Sequence, residues 1–369
     1  MAMTCMKLEW MYSKAVVLFV LALGMLQMDA AAQGLSETAN PEALPDAKAI
    51  LKYLRSLPLR RDKKLISGQF ESWGREVQPL SSPHNNLEII HEKTGKWVGL
   101  AGVEYHQGGV FPEAPNQFCA EFWRKGGLVQ LYLIMRNPAS PGSFNGGGKC
   151  DIDSVLAPNH EYHRFFFHEL DEVAAGLEAL QRQGVIVFLN PFAEASADWF
   201  WWGGNPAKFK ALYRATFDYL VKTKHLNNLL FIFEPSSSHK DAALYYPGSQ
   251  YVDMVGISIF VSSDHELVPG DIPAYALLTT FKKPLAFSQW GPRRGQDQVG
   301  RDQPPADNMK LLRGVQNYFP LITWWMNWNM AYAISSPTNS NYNDRKLLEQ
   351  RAVITLYDLD WKRGRNAAK

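Results

Sequence analysis

The chain is poor in cysteine, in unbalanced charge and in long apolar runs. Of three cysteines, Cys5 lies in the N-terminal leader, which leaves Cys119 and Cys150. Two cysteines exclude a disulfide-dense scaffold; they are compatible with one disulfide stapling the segments around "GGLVQLYLIMRNP", or with two unpaired thiols. Basic and acidic residues number 38 and 36, for a net charge of +2, and neither sign is gathered into a long run. That balance argues against a nucleic-acid or membrane-surface partner and for a neutral one. The only long apolar run, "AVVLFVLALGML", falls short of the roughly 20 residues a membrane helix needs. It follows Lys7 and Lys14 and precedes the small-residue stretch "DAAAQG". This is a signal-peptide pattern, assigned to 1–32, and it predicts a secreted or periplasmic body spanning 33–369 without a membrane span. His160, His163 and His168 have no Cys or His partner at metal-site spacing. "GGG" at Gly146 to Gly148 lacks the lysine and hydroxyl residue of a phosphate loop, and no Gly-x-Ser-x-Gly elbow is present. No metal or cofactor is expected.

What the chain has in abundance is aromatic residues, 13% of the total with 12 Trp. Tryptophan faces serve as platforms for sugar rings or simply fill a large core. Eight short apolar runs recur: "LISGQ", "WVGLAGVEY", "LVQLYLIM", "VIVFLNPF", "LLFIFE", "VDMVGISIF", "PLAFSQW" and "ITWWMNW". Such runs suit strands buried on both faces of a parallel sheet. Between them lie helix-period segments, among them "FFFHELDEVAAGLEALQRQG", stopped by Gly184, and "NPAKFKALYRATFDYLVKTKH", opened by Asn205 as N-cap with Pro206 following. Strand and helix repeated eight times predict a single-domain (β/α)8 TIM barrel. The Gly/Pro-rich connection after the third run reads as an irregular loop over the barrel's C-terminal face, where active sites sit.

The fourth run ends in "NPFAEASADWFWWGG", Asn190 to Gly204, which sets a carboxyl group beside large rings. Burial against rings raises a carboxylic acid's pKa, as a general acid near neutral pH requires, so Glu194 is the expected general acid/base. Trp199, Trp202, Trp290, Trp324 and Trp328 fall near strand ends and are candidate sugar platforms, although alternation along a strand predicts that about half are core. Glu104, ending the second run, is a candidate rim residue or a solvated carboxylate.

This stretch resembles glycoside hydrolase family 26, the beta-mannanases, whose acid strand typically reads Arg-Pro-Phe-His-Glu, then Asn-Gly and Trp-Phe-Trp-Trp-Gly. Pro191, Phe192, Glu194, Trp199, Phe200, Trp201, Trp202 and Gly203 match, while Asn190, Ala193 and Ser196 depart. "KKLISGQ", "FWRKGGLVQLYLIMRNP" and "YYPGSQYVDMVGISIF" extend the likeness along most of 33–369. The resemblance implies a polysaccharide substrate, of beta-mannan type, cleaved internally.

It also implies a nucleophilic glutamate where "KPLAFSQWG" has Gln289. Phe260 stands where the family's tyrosine is expected, Ser258 replaces its aspartate and Ile134 its histidine; four departures together argue against a single engineered exchange. A retaining glycosidase needs one carboxylate to bond the sugar and a second to donate a proton, and a neutral amide cannot be the first. Two readings follow. In one, Glu234, ending "LLFIFE", is a relocated carboxylate acting with Glu194; the competing role for Glu234 is a buried ion pair with an arginine such as Arg136. In the other, the barrel is a non-catalytic polysaccharide binder.

Overall fold

The computed structural model describes residues 38–62, 64–142, 146–292, 305–337 and 340–362. The signal-peptide assignment, 1–32, lies outside the described residues. Eight parallel strands close on themselves: β2 (Gly68–Trp73), β3 (Leu100–Glu104), β4 (Leu128–Tyr132), β5 (Val187–Asn190), β6 (Leu229–Phe233), β7 (Met254–Val261), β8 (Leu285–Pro292) and β9 (Ile322–Asn327), with β9 pairing both β8 and β2. Two short strands, β1 (Leu65–Ile66) and β10 (Val353–Ile354), extend the sheet beside β9. The eight apolar runs are these eight staves, and the expected (β/α)8 barrel is the observed fold.

Strand alternation divides the core in two. In β4, Leu128 and Tyr132 join the barrel interior while Val129 and Leu131 pack outward under the helices; in β5, Phe188 turns in and Val187 and Leu189 turn out. The interior is filled by Phe70, Leu100, Phe188, Leu230, Ile232, Met254, Trp324 and Met326. The amphipathic helix Pro45–Ser56 lies against the same cluster through Ala47, Ile50, Leu51 and Leu54.

The surrounding helices follow their local signals. Helix Glu161–Arg182 buries Phe166, Leu170, Val173, Ala174, Leu177 and Leu180, one stripe at helical spacing, and the chain leaves it through Gly184 at φ 70°. Helix Pro206–Asp218 starts where Asn205 accepts from the Ala207 and Lys208 amides, a cap worth about 1 kcal/mol. It continues as a π-turn, Tyr219–Thr223. The connection after β4 differs from the expected irregular loop in holding a short helix, Ile152–Leu156, capped by Asp151.

Cys119 and Cys150 are both free thiols, which corrects the disulfide expectation. Cys119 points from helix Glu113–Arg124 into the outer core and is wholly buried, while Cys150 sits partly exposed in the connection after β4. Their sequence spacing carried no information on whether their backbones meet at disulfide distance.

Candidate active site on the C-terminal face of the barrel

The ends of the strands surround a cleft of about 430 Å³ lined by Trp73, Glu104, His106, Ile134, Gly147, Ala193, Glu194, Trp199, Phe200, Phe260, Gln289 and Trp328. It occupies the barrel's C-terminal face, as expected.

Glu194 projects into it from the segment after β5. Its Oε2 accepts from the Trp199 indole N–H at 2.6 Å and its Oε1 from the Ser258 hydroxyl at 2.6 Å. Two donors at that distance accommodate negative charge and fix the carboxyl's direction. Its backbone adopts φ 51°, in the left-handed region, a conformation that costs a non-glycine residue about 1 kcal/mol or more and clusters at functional sites. The segment folds back tightly behind it: a Cβ on Gly203 would fall 1.6 Å from the Ala197 carbonyl oxygen. The Trp cluster does not wrap the acid in apolar faces as anticipated. Trp199 offers its polar edge, whereas Trp201 and Trp202 turn into the core, donating to the Met135 and Ala193 carbonyls.

Glu234, directly after β6, is 0% exposed and is absent from the cleft lining. Its Oε2 accepts from the Ser288 hydroxyl and its Oε1 from the Gln289 amide at 2.8 Å and, more loosely, from the Glu194 backbone N–H at 3.3 Å. The Asn190 amide lies beside it without a well-formed hydrogen bond. Burial pushes its carboxyl up to about 7; the Ser288 hydrogen bond opposes that rise and the Glu194 charge adds to it. The expected Glu234–Arg136 ion pair does not form. Arg136 instead bonds Glu169 of helix Glu161–Arg182 at 2.6 Å.

Gln289 reaches the cleft through an irregularity in β8. Between the pairings Gly256↔Ala286 and Ser258↔Gln289, β8 holds one residue more than β7, and on its other side Phe287 and Trp290 span one more than Trp325 and Asn327 of β9. The bulge lets the consecutive residues Ser288 and Gln289 both turn toward Glu234, which simple alternation forbids.

On the opposite wall stand Glu104, ending β3, and His106 two residues on. Glu104 is 7% exposed, and burial holds its carboxyl well above the usual range against an opposing hydrogen bond from the Ile134 amide. His106 is buried, and burial, helped by the Arg136 charge, pushes its imidazole down to about 3. The ring is therefore neutral near pH 7, and its Nε2, 3.6 Å from Glu169, forms neither an ion pair nor a hydrogen bond.

Of the five tryptophans singled out, two line the cleft. Trp199 is 46% exposed, and Trp328 stacks on Phe70 with ring centroids 4.0 Å apart. The other three are corrections. Trp324 fills the barrel interior, Trp202 stacks on Phe200 beneath the surface, and Trp290 faces outward against Phe287. Sequence reasoning missed Trp73, His106 and Phe200. His106 was within reach, because residues i and i+2 at a strand's exit share a face and Glu104 was already a candidate. Among the described residues no group of three or more His, Cys, Asp or Glu side chains is placed to hold a metal ion, and no helix is long and apolar enough to cross a membrane.

The model of Glycosyl hydrolase family 26 matches residues 39–355, nearly the whole described chain. The chain belongs to glycosyl hydrolase family 26. Among related family members, a mannan endo-1,4-beta-mannosidase of Bacillus subtilis is 28% identical over 309 residues, covering 79% of this chain and 81% of that enzyme. A second, from Bacillus subtilis strain 168, is 25% identical over 362 residues, covering 91% and 94%. The solved structure of a Bacillus subtilis mannanase superposes with a TM-score of 0.74 at 23% identity, over 86% of this chain and 95% of that one, a likeness of fold. This family member thus sets a glycosidase scaffold around a cleft in which Gln289 holds the place where the family resemblance called for a nucleophile.

Proposed function

We propose that this family 26 protein is an exported endo-acting glycosidase that hydrolyses a beta-mannan-type polysaccharide in the C-terminal cleft, with Glu194 as its acid/base carboxyl. The observation that carries this reading is the setting of Glu194: it faces the cleft, both of its oxygens are held at 2.6 Å, and an exposed Trp199 stands beside it. A side chain locked by its surroundings at a strand's C-terminal exit is positioned for chemistry. The substrate class follows from relatives that are mannan endo-1,4-beta-mannosidases, and export from the leader pattern at 1–32.

Gln289 rules out the covalent route through that position, because an amide cannot leave as a carboxylate. The test is reducing-end release from beta-mannan and a panel of other beta-glycans by the mature protein, run beside Glu194→Ala. Release that vanishes in the variant supports the reading.

A second reading, a non-catalytic polysaccharide binder on the same barrel, is favoured by one observation: Glu234, a relocated carboxylate in sequence terms, is sealed below Gln289 and Ser288. Glycan binding with no release above the Glu194→Ala control would select it.

A further inference from the structure

Resting on the polysaccharide cleft that both readings above share, we infer that a second cavity beside it holds a further neutral hexosyl unit of the same polymer. This cavity, of about 470 Å³, opens at the same rim, between the end of β2, the start of helix Asn86–Thr94 and the segment after β9. It shares no lining residue with the cleft, yet the two lie back to back. Trp73 and Trp328 line the cleft, and their chain neighbours Ser72 and Asn329 line the second cavity. Successive side chains at a strand end turn to opposite sides, and β2 and β9 are paired through Gln69 and Asn327. A glycan that leaves the cleft over Trp73 and Trp328 meets this cavity next.

Its lining selects the ligand. Among the described residues no group of His, Cys, Asp and Glu side chains is placed to hold a metal ion, so Glu71 and Glu76 do not make it a cation site. Arg75 lies over the Phe111 ring at 3.7 Å and is offset by Glu76 next to it, which leaves little positive charge for an anion. What remains is hydrogen-bonding capacity fixed in place. Asn86 Nδ2 donates to the Glu71 carbonyl at 2.8 Å and to Asn329 Oδ1 at 2.9 Å, and Asn329 Nδ2 donates to the same carbonyl at 2.8 Å. With its N–H groups spent, Asn86 keeps Oδ1 as an acceptor for a sugar hydroxyl. The Glu71 carboxyl is pushed up to about 7 by burial, against a 2.7 Å hydrogen bond from the Asn86 amide, and so can donate as well as accept.

Met330 supplies an apolar side for the C–H face of a sugar ring. It is 54% exposed, and its backbone is held at φ 55°, in the left-handed region, with its N–H donating to Asn329 Oδ1 at 2.6 Å. A non-glycine residue kept there with an exposed side chain adds nothing to the core, and such strain gathers at ligand clamps. One asparagine thus positions both the amide floor and the apolar side of the cavity.

The experiment measures Kd by titration calorimetry, in a Glu194→Ala background to prevent turnover. The ligands are mannotriose, linear mannohexaose and mannotriose carrying one α-1,6-galactosyl branch. The expected result is a gain of about tenfold over mannotriose for a longer ligand, the size of one or two net hydrogen bonds. Asn86→Ala is expected to erase that gain and leave mannotriose unchanged. Met330→Gly, which suits φ 55° better than methionine and so keeps the fold, is expected to erase part of it. A gain for mannohexaose alone makes the occupant a unit of the main chain, and one for the branched ligand alone makes it a side branch. No gain over mannotriose, a gain that survives both variants at unchanged circular dichroism and Tm, or a loss shared equally by mannotriose overturns the inference. If wild type still cleaves mannan in that case, this inference fails alone. A protein that binds none of the three ligands removes it together with both polysaccharide readings.

Discussion

Glu194 and Glu234 leave neighbouring strands and lie within a hydrogen bond of each other through the Glu194 backbone, yet their circumstances are opposite. One faces the cleft with its oxygens held by Trp199 and Ser258. The other is sealed beneath Gln289 and Ser288, wholly excluded from solvent. The contrast teaches that a carboxyl gained in sequence near a site is not a carboxyl gained by the site. What decides is which neighbours stand between it and the cleft, and here those neighbours are Ser288 and Gln289.

The largest test of the contrast is to remove the exposed member. Glu194→Ala is expected to lower kcat on mannan by about 10²–10⁴-fold, while Glu234→Ala, measured at equal folded fraction, stays within about tenfold; comparable losses in both would erase the distinction. Next comes the exchange of the buried pair. Gln289→Glu alone sets two carboxyls at the present 2.8 Å contact, where they must share a proton, so it is expected to lower Tm and restore no covalent chemistry. Gln289→Glu combined with Glu234→Gln reverses the pair and leaves one carboxyl facing the cleft. Trapping with a 2-fluoro-mannosyl fluoride, read by mass spectrometry, is expected in the double variant only.

A smaller effect is expected from Trp199→Phe, which keeps an aromatic ring but loses the indole donor to Glu194. A fall in kcat of about tenfold, with KM little changed, is expected from the loss of one charge-assisted hydrogen bond. A risen KM at constant kcat would mark Trp199 as a sugar platform alone.

The smallest concerns stability. Because Glu234 has a folded-state pKa raised to about 7, the folded protein holds a proton that the unfolded chain releases near its ordinary value. Its contribution is therefore complete below about pH 4 and is lost as pH rises from about 4.5 to 7, an effect of about 1–3 kcal/mol. Glu71 and Glu169, also raised to about 7 by burial, slope the same way, so the check is a difference: Tm against pH is expected to be flatter in Glu234→Gln than in wild type.

The barrel was legible in the sequence because its signal is local. Each stave is an apolar run, and period-two alternation sorts Trp324 inward and Trp325 outward without further help. The place of Glu194 at the cleft was legible in part for the same reason, since Trp199 follows it within five residues, whereas its other donor, Ser258, lies 64 residues away. The rest depended on contacts across the fold. Arg136 finds Glu169 on a helix 33 residues away rather than Glu234. The β8 bulge that turns Ser288 and Gln289 to one side leaves no mark in "AFSQWG". Trp202 and Trp199 are three residues apart in one motif, yet one is core and the other rim, because the turn closed by Gly203 separates them.

The left-handed backbone at Glu194 has a consequence for how the protein can change. A glycine or asparagine suits φ 51° better than glutamate does, so the substitutions that end the proposed chemistry are also those that relieve the main chain. If Glu194 carries the proposed chemistry, thermal stability and turnover are set against each other at a single residue. A selection for heat resistance alone would be expected to empty this cleft of its carboxylate before it touched the barrel.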